Sequence, residues 1–132
     1  MKRGYRFERE LLHRLWEMGF AAVRTPASGA MSYPCPDIVA GNGKTYLAIE
    51  VKMRSNFPLY ISEDEVARLE DFSKRFGAKP LIAFKVKKLG WKFFTLDMLK
   101  RCKAGYKIDE DLYYLGMDFD ELRGLKQVRF DN

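Results

Sequence analysis

Two acidic residues and a lysine are spaced so that strand geometry would bring them together. Asp37 directly follows Pro36, and the run Glu50-Val51-Lys52 comes later, within a predicted strand. Because side chains alternate across a strand, Glu50 and Lys52 share one face. A hairpin through the Gly-rich turn between the two segments would bring Asp37 towards the same end of the sheet. The spacing therefore predicts a small concave site with two carboxylates and an amine.

A third carboxylate, Glu8, is expected to join this site from the first helix. Helical periodicity runs from Arg6 to Met18 and stops at Gly19. At about 100° per residue, Glu8 projects along the apolar stripe of this helix, whereas Glu10 projects to the opposite side. The stripe consists of Leu11, Leu12, Leu15 and Gly19. The first helix thus offers one inward-facing carboxylate.

Carboxylates gathered in this way favour a hard divalent cation. Ionising several of them in a partly dry site is costly, whereas Mg²⁺ accepts carboxylates, water and substrate phosphate as ligands. The backbone carbonyl of Val51 is a further candidate ligand. A bound metal polarises a phosphodiester, activates water and offsets charge on the leaving 3′-oxygen. Lys52 fits two roles, as the base that activates the water and as a stabiliser of the transition state.

Each part of the pattern also has an ordinary structural explanation. Glu-x-Lys on a strand is usually a solvated ion pair, Pro-Asp is common in turns, and Glu8 at the edge of its stripe would reach water. The chain carries 24 Lys and Arg against 18 Asp and Glu, for a formal net charge of +6. Such a basic domain suits a polyanion, although charge alone fits a mixed soluble surface equally well. The combination favours a nuclease.

Length and composition bound the fold. The chain has 132 residues, of which 47% are hydrophobic, so we expect one domain with a real core and no disorder. The catalytic core is predicted over about residues 3–95, and the part over 96–132 has no assigned role. No apolar run is long enough to span a bilayer, which predicts a soluble, cytoplasmic protein. Cys35 and Cys102 are too isolated for zinc, and His13 has no assigned role.

Local patterns predict an α/β fold with a mixed central β-sheet flanked by helices. A loop is expected over residues 25–36, and a second helix follows a capping box that runs from Ser62 to Glu65 and ends at Gly77. Strands are predicted over residues 20–24, 37–40, 46–53, 80–86 and 91–95, and short helices over 97–102 and 118–125.

The sequence resembles the archaeal Holliday junction resolvases, a branch of the PD-(D/E)xK nuclease superfamily with the restriction endonuclease core. The matching segments, in chain order, are RGYRFERE at 3–10, GFAAVR at 19–24, PASG at 26–29, PDIVA at 36–40 and IEVK at 49–52. The likeness continues less distinctly to about residue 95. The ordered set is specific, whereas no single segment is.

The resemblance implies a restriction endonuclease-like fold in which Glu8, Asp37 and Glu50 ligate Mg²⁺, with Mn²⁺ as a substitute, and Lys52 stabilises the transition state. It also implies a role in cleavage for a loop serine, for which Ser28 and Ser32 are both candidates. The basic positions implied to contact DNA are Arg9 and Arg24, and the surface extends through Arg3, Arg6, Arg54 and the basic run at 85–88.

The same resemblance implies a homodimer that binds a four-way DNA junction and nicks opposing strands in pairs. Two alternatives stay open at this point: a nuclease with this core that acts on linear duplex or flaps, and a non-catalytic DNA-binding module. The candidate interface residues are aromatic side chains that the hydrophobic core cannot all accommodate. They are Phe57, Tyr60, Phe72, Phe76, Tyr113 and Tyr114.

Overall fold

The computed structural model describes residues 3–26 and 33–125, which form two β-sheets with helices packed against them. The strands are β1 Ala21–Arg24, β2 Ile38–Gly41, β3 Tyr46–Arg54, β4 Leu59–Ser62, β5 Lys79–Val86, β6 Gly90–Thr95, β7 Lys100–Cys102 and β8 Gly105–Ile108. The helices are α1 Arg3–Glu17, α2 Glu63–Phe76, α3 Glu110–Leu115 and α4 Phe119–Arg123, with a 3₁₀ turn over Leu96–Met98. The five-stranded sheet has the order β1-β2-β3-β5-β6, and the smaller sheet has the order β4-β8-β7. The predicted α/β class with a mixed central sheet is confirmed.

The hairpin that carries the candidate site is confirmed. Strands β2 and β3 are antiparallel, with Ile38 opposite Ile49. Strand β3 then pairs in parallel with β5, and the connection between them contains β4 and α2. Because a parallel pair needs such a crossover, α2 is brought back over the sheet. This placement sets the N-terminus of α2 beside the strand that carries Glu50 and Lys52.

Alternation along β3 divides its apolar side chains between two core clusters. Leu47 and Ile49 pack with Leu11 and Leu15 of α1 on one face of the sheet. Ala48 belongs to the cluster on the other face, which also contains α2 and the smaller sheet. Residues after position 96 contribute to both clusters, through the buried side chains Tyr113 and Leu122. The C-terminal part of the chain is therefore packed into the core.

Several boundaries follow from local chemistry. The first helix ends before Gly19, whose φ of 100° favours glycine. The predicted capping box at Ser62 and Glu65 is present, and Gly77 ends α2 in the left-handed conformation. The predicted helix over 118–125 is confirmed as α4. Within the described ranges, no helix is long and apolar enough to cross a membrane.

The predicted helix over 97–102 is wrong. Only a 3₁₀ turn forms there, and the following residues become β7, which pairs with β8. Strand pairing supplies backbone partners that a short isolated helix lacks, and this pairing is not visible in a local window. Strand β4 and the whole smaller sheet, like α3, were not predicted.

Candidate active site

Asp37 is fixed against the backbone of β3, between Glu50 and Lys52. Its N–H donates to the carbonyl of Ile49 at 3.0 Å, and its Oδ2 accepts from the N–H of Val51 at 2.7 Å. Both contacts continue the hairpin past the first residue of β2. The structure therefore brings Asp37 to the strand that carries the Glu-x-Lys motif, as the spacing predicted.

Glu50 is a carboxyl group whose surroundings oppose its ionisation. Burial raises the pKa of Glu50 to about 7, and the negative charges of Asp37, Glu65 and Glu8 act in the same direction against the single opposing charge of Lys52. Within the described residues, no donor forms a hydrogen bond with the Glu50 carboxylate. Burial likewise raises the pKa of Asp37, against the hydrogen bond from Val51. Asp37 and Glu50 are therefore two neighbouring carboxyl groups whose ionised forms are disfavoured, chiefly by burial.

Lys52 does not pair with its strand neighbour Glu50. Its Nζ instead forms an ion pair with Oε1 of Glu65, in the first turn of α2. The other oxygen of Glu65 accepts from the N–H of Ser62 at 3.0 Å and completes the capping box. Burial opposes ionisation of Glu65, but the hydrogen bonds from Lys52 and Ser62 hold its pKa below the usual value. A small cavity next to these groups is lined by Cys35, Pro36, Glu50, Glu65, Arg68 and Leu69.

Glu65 is the residue at this site that sequence reasoning missed. The capping box did identify its first role, because Ser-x-x-Glu before an apolar run is a local signal. Its contact with Lys52 depends on how α2 docks against β3, and no spacing in the sequence encodes that docking. The only hint in the sequence was that a capping-box carboxylate keeps a second oxygen for another partner.

Glu8 reaches the site from α1, where it is held by an arginine. Arg24 Nε, at the end of β1, donates to Glu8 Oε1 at 2.7 Å. The Arg24 guanidinium also lies over the ring of Tyr5, 4.1 Å from its centroid, and Arg9 approaches the same ring at 5.7 Å. Glu8 is close enough for its charge to raise the pKa of both Asp37 and Glu50, although burial is the largest cause for each.

The orientation predicted for Glu10 is wrong. Its carboxylate lies against the sheet, where it accepts from Lys85 at 2.7 and 2.8 Å and from Trp91 at 3.1 Å. A helical projection gives the direction of the Cα–Cβ bond, but a flexible side chain at the edge of the stripe can bend towards a cation. The first helix therefore places two carboxylates on the sheet, each with a different cationic partner.

The donor chemistry of the site suits a hard divalent cation. Asp37 and Glu50 supply carboxylate oxygens, and burial together with nearby negative charge raises the pKa of each, so a bound cation would favour their ionised forms. The residues in the described ranges do not, however, form a ready group of three or more Asp, Glu, His or Cys side chains that could hold a metal. Glu8, with one oxygen on Arg24, is the ligand candidate that would have to move. The predicted ligand set, including the Val51 carbonyl, stays a prediction.

The remaining sequence-predicted residues are less closely tied to the site. The side chains of Arg6, Arg9 and Arg54 are exposed. Arg54 also donates a hydrogen bond to the Met53 carbonyl at 2.7 Å. The cysteines at 35 and 102 are free, and His13 is exposed. The predictions for Ser28, Ser32 and the side chain of Arg3 lie outside the described residues.

Sequence comparisons with known proteins support the family resemblance. The sequence model for the family described as archaeal Holliday junction resolvase (Hjc) matches residues 1–129. The crossover junction endodeoxyribonuclease Hjc of Archaeoglobus fulgidus is 53% identical, over 92% of this chain and 90% of the relative. The enzyme of the same name from Methanocaldococcus jannaschii is 33% identical, over 99% of this chain and 95% of the relative.

A solved structure supports the same relationship. The crystal structure of Archaeoglobus fulgidus Hjc, described as a Holliday junction resolvase from an archaeal hyperthermophile, superposes with a TM-score of 0.88. The match covers 92% of this chain and 100% of that one. Together with the hairpin that joins Asp37 to the Glu50-Val51-Lys52 strand, these matches confirm the resemblance seen in the sequence. The chain belongs to the archaeal Holliday junction resolvase family.

Proposed function

We propose that this protein is a dimeric, Mg²⁺-dependent endonuclease that resolves four-way DNA junctions by paired nicks in opposing strands. The observation that carries the proposal is the hydrogen bond that fixes Asp37 on β3, between the buried Glu50 and the amine-bearing Lys52, in a chain of the resolvase family. A purely structural strand pair would have joined Glu50 to Lys52. Here the lysine is held separately, and the acidic pair is left for a cation.

The metal would be held by Asp37, Glu50 and the carbonyl of Val51, with Glu8 joining after it leaves Arg24. When bound, Mg²⁺ or Mn²⁺ supplies Lewis-acid polarisation of the phosphodiester and an activated water. Lys52 places a positive charge where the phosphate becomes pentacovalent in the transition state. A serine between residues 27 and 32, Ser28 or Ser32, remains the proposed further contributor to cleavage.

Binding to the junction is proposed to depend on phosphate contacts. Arg9 and Arg24 surround Tyr5 next to the site, and the exposed Arg6 and Arg54 extend the basic surface, with Arg3 added from the sequence. Such contacts read the shape of a branch through its backbone and carry no base code. A cytoplasmic location fits this proposed role and stays a prediction.

The homodimer follows from the symmetry of the substrate. Paired nicks in opposing strands need two sites in a two-fold arrangement, and each chain supplies one candidate site. Among the predicted interface residues, Phe57 and Tyr113 pack in the core, whereas Phe76 is exposed and stacks on Phe72 with ring centroids 5.1 Å apart. An apolar groove beside Phe76 continues over β1 and β2. We propose this surface as the contact with a second copy.

A cleavage assay on immobile four-way junctions, with linear duplex and flapped DNA as comparisons, tests the proposal. We expect junction nicking that requires Mg²⁺ and is far faster than nicking of linear DNA. Equal nicking of linear duplex would assign the site to a different substrate. Junction binding without nicking at any divalent metal concentration would leave a non-catalytic binding module instead. Sedimentation of the free protein as a monomer at assay concentration would contradict the dimer.

A further inference from the structure

We infer that Glu65 is a positioning residue that holds the amine of Lys52 away from Glu50 and ready for the phosphate. The inference deepens the proposed function and rests on it, because it assigns a role within the same site. Its basis is a geometric observation: a single carboxylate joins the first turn of α2 to the reactive face of β3.

The two oxygens of Glu65 have different partners. Oε2 accepts from the Ser62 N–H at 3.0 Å, which fixes the carboxylate relative to the helix N-terminus. Oε1 forms the ion pair with Lys52 Nζ. A lysine has a long, flexible stem with several rotamers, so an acceptor that is itself held on a helix restricts where the ammonium lies. The helix cap thereby fixes the position of the lysine.

This arrangement also determines which carboxylate remains available. Glu50 and Lys52 lie on the same face of β3, two residues apart, and would form an ion pair if Lys52 had no other acceptor. In the described part of the chain the ion pair of Lys52 is with Glu65, and its side chain is 18% exposed. Glu65 thus keeps the ammonium next to the acidic pair without letting it neutralise Glu50 directly.

A second capping box in the same protein shows that capping alone does not require this contact. At the start of α4, Asp118 caps the backbone of Glu121, and Glu121 Oε1 accepts from the Asp118 N–H at 3.2 Å. No described lysine or arginine pairs with Glu121. Glu121 is therefore a matched control, with the same local role and without the link to the site.

The test compares Glu65→Gln with Glu121→Gln in the full-length protein. Glutamine keeps a carbonyl oxygen for the cap but presents no negative charge to Lys52. For Glu65→Gln we expect a roughly tenfold lower single-turnover nicking rate at saturating protein and an unchanged junction affinity measured without metal. The thermal midpoint should fall by no more than a few degrees, because the lost ion pair is partly exposed. Acylation of Lys52 by an amine-reactive ester, measured by peptide mass spectrometry, is compared in a Glu50→Gln background, where the amine cannot pair with Glu50 instead. In that background Glu65→Gln should make the acylation several-fold faster. Glu121→Gln should leave all four quantities at parental values.

Unchanged acylation of Lys52 when Glu65 is replaced in the Glu50→Gln background would overturn the inference, since the amine would then not depend on the Glu65 carboxylate. The inference also fails if nicking falls only in step with junction affinity or thermal midpoint, or falls equally in both variants. The acylation measurement does not involve DNA cleavage. If the parent protein failed to nick junctions, the proposed function would fail while the acylation result still decided the role of Glu65.

Discussion

Two carboxylate–lysine arrangements connect helices to the central sheet, and they differ in how completely they are neutralised. Glu10 receives both of its short contacts from Lys85, on β5, and a third hydrogen bond from Trp91. Glu50 has Lys52 on its own strand, yet that lysine pairs with Glu65. Both regions combine a glutamate with a lysine of the central sheet. Lys85 pairs with Glu10, whereas Lys52 does not pair with Glu50, so we interpret the first region as structural and propose the second as the reactive one.

The pKa values of the two glutamates move in opposite directions. Burial acts to raise the pKa of Glu10, but the hydrogen bonds from Lys85 and Trp91 bring it below its ordinary value. Burial and the neighbouring charge of Asp37 raise the pKa of Glu50 to about 7. A satisfied ion pair stabilises the fold, whereas an unsatisfied carboxylate pair favours the binding of positive charge. The second arrangement is the one that points to a metal.

The largest expected difference between the regions is in catalysis. Replacing Glu50 by Gln, or Asp37 by Asn, should lower junction nicking on the order of 1000-fold, because the site loses a charge that stabilises the transition state through the metal. Glu10→Gln should nick within about twofold of the parent. Both groups of variants should still bind junctions in a gel-shift assay. Full nicking activity in Glu50→Gln would remove the distinction between the regions.

The next prediction concerns the pH dependence of stability without metal. Because the folded pKa of Glu50 is about 7 against an ordinary 4.5, the native state binds more protons between these values. Its contribution to the free energy of unfolding therefore falls as pH rises from 4.5 to 7, by about 3 kcal/mol in total. Urea denaturation in EDTA should show Glu50→Gln gaining most of this amount relative to the parent between pH 5 and pH 8. A constant difference over that range would contradict the assigned burial.

The contribution of Glu10 to the free energy of unfolding should depend on pH in the opposite direction and should be smaller. Its lowered pKa stabilises the fold above its ordinary pKa of 4.5, and this contribution is lost as pH falls through the folded value. Since its side chain is 41% exposed, we expect Glu10→Gln to lower the free energy of unfolding by only about 1 kcal/mol at pH 7. Urea denaturation at pH 7 and pH 3 measures the change, which should be smaller at the lower pH. A loss that is undiminished at pH 3 would indicate packing as the cause.

The smallest expected effect is on junction binding, where Arg24 near the candidate site should differ from Lys85 in the other region. Junction affinity should fall steeply with salt, because bound phosphates release counterions. Arg24→Gln should weaken binding a few-fold and reduce the slope of log affinity against log salt by about one. Lys85 belongs to the basic run predicted to extend the DNA surface, but its amine is bound to Glu10, so Lys85→Gln should leave the slope unchanged. Fluorescence anisotropy at several salt concentrations measures both quantities. Affinity that hardly depends on salt would contradict the phosphate-contact proposal.

Local patterns were sufficient for the elements that carry the site. The alternation along β3, the Gly-rich turn before it and the Ser62–Glu65 capping box are all encoded within a few residues. They placed Glu50 and Lys52 on one face and Asp37 at the same end of the sheet. The placement of these residues depends on the side-chain periodicity of strands and helices, which is the same whatever the rest of the fold.

The partners of the charged groups could not be predicted in the same way. Lys85 and Glu10 are 75 residues apart in sequence, and Lys52 and Glu65 are 13 residues apart. Each contact exists only once a helix has docked on the sheet. The wrong direction for Glu10 and the missed contact of Glu65 have this common cause. The strand over Lys100–Cys102 was missed for a related reason, since it forms by pairing with β8 and this pairing is not encoded in its own few residues.

Calorimetric titration of the free protein with Mn²⁺ at about pH 7.5, above the raised pKa of Glu50, tests the central claim without DNA or turnover. If Asp37 and Glu50 form a metal site, the parent and Glu10→Gln should bind the ion saturably, and Glu50→Gln should lose that binding. Equal binding by Glu50→Gln and the parent would contradict the assignment.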